Sequence, residues 1–160
     1  AGVRSKYLIL FIFACVAIVL AFIISGEHSM LAGSRPKNLG VRAGKLNACP
    51  NKPNCVSSQA EPSDSHFIGP IAFNVSAAEA IARIKRIVIA MPRTKIIDDT
   101  PDYLYAEFKS RLMGFIDDVE FYADPNARLI HVRSASRLGY RDLNVNRGRV
   151  EAVRLQFNTR

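Results

Sequence analysis

Residues 103–137 read YLYAEFKSRLMGFIDDVEFYADPNARLIHVRSASR, and their periodicity decides the fold class. Leu104, Ala106 and Phe108 alternate with Tyr103, Tyr105, Glu107 and Lys109. That two-residue period marks an antiparallel strand with one apolar and one polar face. Two further strand-like stretches follow at 115–122 and 128–137, with Asp124-Pro125-Asn126 as the turn between them. A fourth, 94–98, precedes them.

Working upstream, Ser76-Ala-Ala-Glu79 is a capping box. Ala77, Ile81, Ile84, Val88 and Met91 then recur at helical spacing until Pro92 ends the segment. The stretch HFIGPIAFNV at 66–75 predicts a first strand, confined to an edge or a bulge by Gly69-Pro70. Downstream, Val150, Val153 and Phe157 share one stripe of a closing helix over 146–157. The order β-α-β-β-β-β-α implies an α+β domain, an antiparallel sheet of about five strands with two helices packed on one face.

At the other end of the chain, residues 7–24 read YLILFIFACVAIVLAFII, eighteen positions without a charge. As a helix they span about 27 Å against roughly 30 Å of hydrocarbon, and Arg4 and Lys6 can snorkel outward. A signal peptide shares this pattern, but its apolar core is usually shorter, about 7–15 residues. A lipoprotein anchor is excluded by Cys15, which lies in mid-run with 16–24 still apolar behind it. The expected division is a transmembrane helix over 1–25, an extended Gly/Ser/Pro linker over 26–46, and the α+β domain over 47–160.

The net charge of +8 belongs mainly to the membrane-proximal part: residues 1–60 carry seven bases and one acid, whereas 61–151 balance. Nucleic-acid binding, which needs its basic excess on a folded face, is therefore not expected. The expected partners are the lipid bilayer and protein subunits embedded in it.

Cys49-Pro-Asn-Lys-Pro-Asn-Cys55 is a turn-rich loop that brings two sulfurs together. A disulfide, a zinc site completed by His66 and His131, and a reduced or redox-active pair compete for it. Spacing favours the disulfide, since five intervening residues exceed the usual two to four of a zinc site. Such a bridge implies a non-reducing compartment, with the N-terminus cytoplasmic (or stromal or matrix) and the domain periplasmic (or lumenal or intermembrane).

Three runs stand out together: Cys49-Pro50 to Pro53-Asn54-Cys55-Val56-Ser57-Ser58-Gln59; Gly114-Phe115-Ile116-Asp117-Asp118-Val119-Glu120-Phe121; and Arg133-Ser134-Ala135-Ser136-Arg137 with Gly139-Tyr140, Asp142, Asn146-Arg147 and Arg149-Val150-Glu151. In this order they resemble the family catalogued as domain of unknown function 1499. The resemblance covers 47–157 and implies an exported or membrane-tethered domain. It implies no reaction.

Candidate site residues come from the charges on the third and fourth strand stretches and beyond. Of the adjacent Asp117 and Asp118, one must face the apolar side, where a carboxylate requires a partner, and an arginine offers two-point contact. The functional version is a pocket in which Arg133, Arg137 and Arg147 bind an anion while Asp117 or Asp118 serves as acid or base. The structural version is a lattice of salt bridges pinning the last helix to the sheet, favoured by six acids against six bases over 116–151. No Ser has a G-x-S-x-G setting and neither His66 nor His131 is tied to one by spacing. No catalytic residue, cofactor or metal is expected. The expected role is a membrane-anchored, non-enzymatic accessory or stabilising subunit of a larger membrane complex. The alternatives are a tethered module binding a small anionic or amphiphilic ligand and, third, a hydrolase.

Overall fold

The computed structural model describes Tyr7 and residues 11–16, 32–111 and 113–159. The chain divides into two units, Ala1–Met30 and Leu31–Arg160. In the first, Tyr7 and 11–16 are helical, with Tyr7, Phe11, Ile12, Phe13 and Val16 exposed. The rest of the expected transmembrane helix lies outside the described residues. Among the described residues no helix is long and apolar enough to cross a membrane.

The second unit is α+β. Its elements are β1 (Cys55–Ser57), β2 (Ile71–Ala72), α1 (Ala77–Ala90), β3 (Thr94–Asp99), β4 (Tyr103–Lys109), β5 (Ile116–Asp124), β6 (Leu129–Ser136) and α2 (Val145–Asn158). All strand pairings are antiparallel, in the order β1-β6-β5-β4-β3, with β2 also on β6. The sheet thus has six strands rather than five. β1 and β2 share one edge, meeting opposite ends of β6 at Cys55↔Ala135 and Ile71↔Ile130.

The expected first strand over 66–75 shrinks to two residues, and its neighbour β1 carries no sequence signal because three residues cannot display a period. Between them the chain curls past β1, with Ser57 N–H donating to the His66 carbonyl at 2.9 Å. Pro70 has no N–H to give a ladder. Arg154 instead donates to the Pro70 carbonyl at 2.6 Å and to that of Gly69, fastening the stretch to α2.

α1 starts where its capping box predicts: Ser76 Oγ accepts from Glu79 N–H at 3.2 Å. Ile81, Ile84, Ile87 and Val88 bury its apolar stripe. With Val150, Val153 and Phe157 of α2 they close over Leu104, Ala106, Phe108, Val119, Phe121 and Val132 in one core. The opposite face of the sheet carries a smaller cluster, in which Leu39, Val41 and Leu46 lie against Tyr103, Tyr105, Ile97 and Tyr122. Part of the segment between the apolar run and the disulfide therefore covers the second face. Asp124 makes the β5–β6 turn, its Oδ1 accepting from Asn126 N–H at 2.8 Å and Ala127 N–H at 3.1 Å.

Candidate functional site

Strand alternation sorts the polar residues of β4, β5 and β6 onto opposite faces. Away from the helices, Glu107 stands opposite Asp118, Tyr105 opposite Glu120, and Glu120 opposite Arg133. Charges buried at such positions must be paired, and they are. Asp118 is 1% exposed. Its Oδ2 accepts from Arg137 Nε at 2.9 Å, and its Oδ1 from Arg137 Nη2 at 2.7 Å and from the Tyr105 hydroxyl at 2.5 Å. Arg137 also reaches Glu107, which Arg35 holds through Nη2 at 2.6 Å.

Glu120 is fully buried. Its Oε1 accepts from the Tyr103 hydroxyl at 2.9 Å and from Gly40 N–H at 2.7 Å, and its Oε2 lies 3.4 Å from Arg133 Nη1. The covering segment thus supplies a cation, Arg35, and a main-chain donor, Gly40, to the carboxylates beneath it.

The field of this lattice sets its protonation. Burial pushes the Tyr103 and Tyr105 phenols up, and the neighbouring carboxylates of Glu120 and Asp118 push them further, so both remain O–H donors. Burial alone would raise the Glu107 carboxyl, but hydrogen bonds from Arg137 and Arg35 win and hold it below its usual value. For Arg137 burial works against the charge, yet Asp118 and Glu107 raise its pKa overall.

A second lattice lies on the helix side. Arg149 Nη2 donates to Asp117 Oδ2 at 2.6 Å, and its Nη1 donates to Asn146 Oδ1 at 2.7 Å and Ser134 Oγ at 3.2 Å. The guanidinium sits 4.6 Å from the Phe108 ring centre. Asn146, fully buried, donates through Nδ2 to the Asn54 carbonyl and to Ser136 Oγ, both at 3.0 Å. These contacts tie α2, β5, β6 and the loop entering β1 together.

Of the five expected site residues, Arg133, Arg137 and Asp118 are brought together. Asp117 faces the helices and takes Arg149. Arg147 lies apart, donating to the Ser65 carbonyl at 2.9 Å. Beside the first lattice, residues 34–54 and the ends of β5 and β6 enclose an open cavity of about 450 Å³, lined by Asn38, Asn47, Lys52, Asn54, Arg133 and Arg137 among others. Arg133 Nε and Asn54 Oδ1 are buried there without a hydrogen-bond partner among the described residues.

Tyr103, Tyr105, Glu107, Arg35 and Asn146 were not among the expected site residues. The signal for the first three was present, since Tyr-x-Tyr-x-Glu opposite Asp-x-Glu puts three carboxylates and two phenols on one face. Arg35 and Asn146 had no such signal, because their contacts cross 72 and 92 positions of sequence.

Cys49 and Cys55 form a disulfide with Cα atoms 5.7 Å apart. His66 braces that loop: Nδ1 lies 2.7 Å from Asp64 Oδ1, and Nε2 lies 3.0 Å from the Lys52 carbonyl. Both partners accept, so the imidazolium, with two donors, satisfies both contacts and the neutral ring only one. Its pKa is raised by the Lys52 carbonyl, against burial and with help from Asp64. His131 is the reverse case, its pKa lowered by burial. Its Nδ1 is 3.3 Å from Ser58 Oγ, but Ser58 is buried and accepts from Val132 N–H at 2.8 Å, standing in for a rung of the ladder. Neither histidine is arranged as a base for an accessible nucleophile.

No curated protein matches the sequence. A family model does, over residues 45–157, so that it takes in the disulfide loop, the whole sheet and nearly all of α2. The chain belongs to the family described as protein of unknown function DUF1499.

Proposed function

We propose that this protein is a membrane-anchored, non-enzymatic accessory or stabilising subunit of a larger membrane complex. The observation that carries this reading is the pairing of the carboxylates on β4 and β5 that lie in the two lattices. Asp117, Asp118, Glu107 and Glu120 each have an arginine partner, so the charges that could do acid–base work hold the sheet, α2 and the covering segment together. The uncharged run 7–24 supports the anchor. The disulfide supports a domain on the periplasmic, lumenal or intermembrane side, with the N-terminus in the cytoplasm or its organellar equivalent.

The test is gentle solubilisation of native membranes followed by affinity capture and native gel separation. Co-migration in a species far larger than the 17.7 kDa chain is expected. Migration solely as a small free species would sink the proposal.

A second reading, a tethered module for a small anionic ligand, is favoured by one observation, the unpartnered Arg133 Nε and Asn54 Oδ1 beside the cavity. Thermal-shift titration with small carboxylates and phosphates distinguishes it. Stabilisation of the wild type that is lost in Arg133→Ala and Arg137→Ala supports binding, and no shift under any condition excludes it.

A further inference from the structure

In the unit described from residue 32 onward, five of the seven exposed large hydrophobics, Met113, Leu138, Tyr140, Leu143 and Val145, gather at one end of the sheet. Met113 lies in the β4–β5 connection, Leu138, Tyr140 and Leu143 follow β6, and Val145 opens α2. Those two stretches are neighbours, because Asp117 pairs with Ser136 and Arg137 N–H donates to the Ile116 carbonyl at 3.1 Å. The two apolar side chains outside the group, Ile89 and Leu155, stand in the last turns of the helices.

Leu143 is the tip. It is 89% exposed and sits in the left-handed region at φ 54°, followed by Asn144 at φ 65°. Side chains pay for that conformation, which persists only where surroundings impose it. Asp142 imposes it here: its carboxylate accepts from Asn144 N–H at 3.1 Å and Asn146 N–H at 2.8 Å, capping α2 in place of the Asn144 side chain. The same contacts turn the acid of this loop inward. Arg111 and Arg141 are exposed and have no carboxylate partner among the described residues. The two connections therefore combine exposed apolar side chains with exposed, unpaired arginines.

The chain also enters the unit at this end. A Cβ on Gly33 would meet Arg137 Cβ and Leu138 Cγ at 3.0 Å, and φ of +66° there favours glycine as well. Nine positions separate Ile24, the last residue of the apolar run, from Gly33, a contour of at most about 32 Å.

We propose that this end docks on an anionic lipid surface, with Tyr140 and Leu143 among the headgroups and acyl boundary and Arg111 and Arg141 on lipid phosphates. Exposed aromatic and aliphatic side chains together with cations are the composition of interfacial contacts. The proposal rests on the membrane tether and is independent of any partner subunit.

The experiment uses the full chain with Cys15→Ser, reconstituted in nanodiscs of phosphatidylcholine with or without phosphatidylglycerol. Nitroxide labels are placed singly through Tyr140→Cys, Leu143→Cys and, as the control, Leu155→Cys. Labels at 140 and 143 collide preferentially with oxygen and are shielded from aqueous nickel chelate, more so in anionic discs, whereas 155 stays aqueous. In the Leu143→Asp background, with circular dichroism unchanged because that side chain contacts water, the shielding at 140 is lost. Aqueous behaviour at 143 in both discs overturns the proposal. Shielding at 143 confined to native membranes also overturns it, assigning the tip to a protein neighbour. Release of the chain by alkaline carbonate defeats the tether itself. Native gel migration reports on the subunit assignment separately.

Discussion

Arg137 grips Asp118 in a two-point contact, Nε to Oδ2 at 2.9 Å and Nη2 to Oδ1 at 2.7 Å, although the two residues stand 19 positions apart, and both side chains are almost wholly buried. The pair is the centre of a network that includes Tyr105, Glu107 and Arg35, so its loss propagates. Arg137→Ala leaves Asp118 buried without its cation and is expected to cost about 3–5 kcal/mol. The double variant Asp118→Leu with Arg137→Met recovers most of that loss. Urea unfolding of the wild type and the two variants measures both numbers, and a double variant no more stable than Arg137→Ala would contradict this role for the pair.

His66 gives the stability a definite pH dependence. Its folded pKa lies above 6.5, so its contribution is fully present below 6.5 and is lost as pH rises through the higher folded value. Asp64 has the opposite sign. The His66 main-chain N–H and then its ring hold its pKa below 3.8, so its contribution is present above 3.8 and is lost as pH falls through the folded value. The clamp on the disulfide loop is thus strongest between about pH 4 and 6.5. NMR titration of His66 is expected to show a midpoint above 6.5. His66→Ala should flatten the decline of melting temperature above that pH.

The disulfide closes a short loop, which limits its worth. In the chain-entropy treatment, Cys49→Ser with Cys55→Ser costs about 2 to 2.5 kcal/mol. Equilibrium denaturation under oxidising conditions checks the figure, and equal stability of the two forms would show that the loop's prolines alone preorganise it.

Asn146 is fully buried and both of its side-chain polar atoms are engaged. Asn146→Ala removes a partner from Ser134, Ser136, Arg149 and the Asn54 carbonyl at once. The expected loss is about 1–3 kcal/mol for the buried hydrogen bonds removed. Hydrogen exchange should rise at the N-terminal end of α2 and at β1, and protection unchanged at both places would refute the bracing role.

The two helices, the four long strands and the turn at Asp124 were legible in the amino-acid sequence because each is a local pattern. Ser76 and Glu79 cap within one turn, and the alternation from Tyr103 to Lys109 assigns faces without reference to any other strand. That one of Asp117 and Asp118 must face apolar surroundings also followed from period two alone. Tertiary structure decided which arginine each takes, since Arg149 and Arg137 approach from different elements on opposite faces. It also decided β1, which three residues cannot announce, and the reduction of 66–75 to a two-residue strand. The coverage of the second face by 38–46 is likewise tertiary: Gly40 and Leu46 carry no periodic signal, and their roles exist only where Glu120 and Tyr105 await a donor and a cover. Local patterns encode which side of an element is apolar. The partners of buried charges are chosen by contacts between elements far apart along the chain, where geometry and desolvation rule.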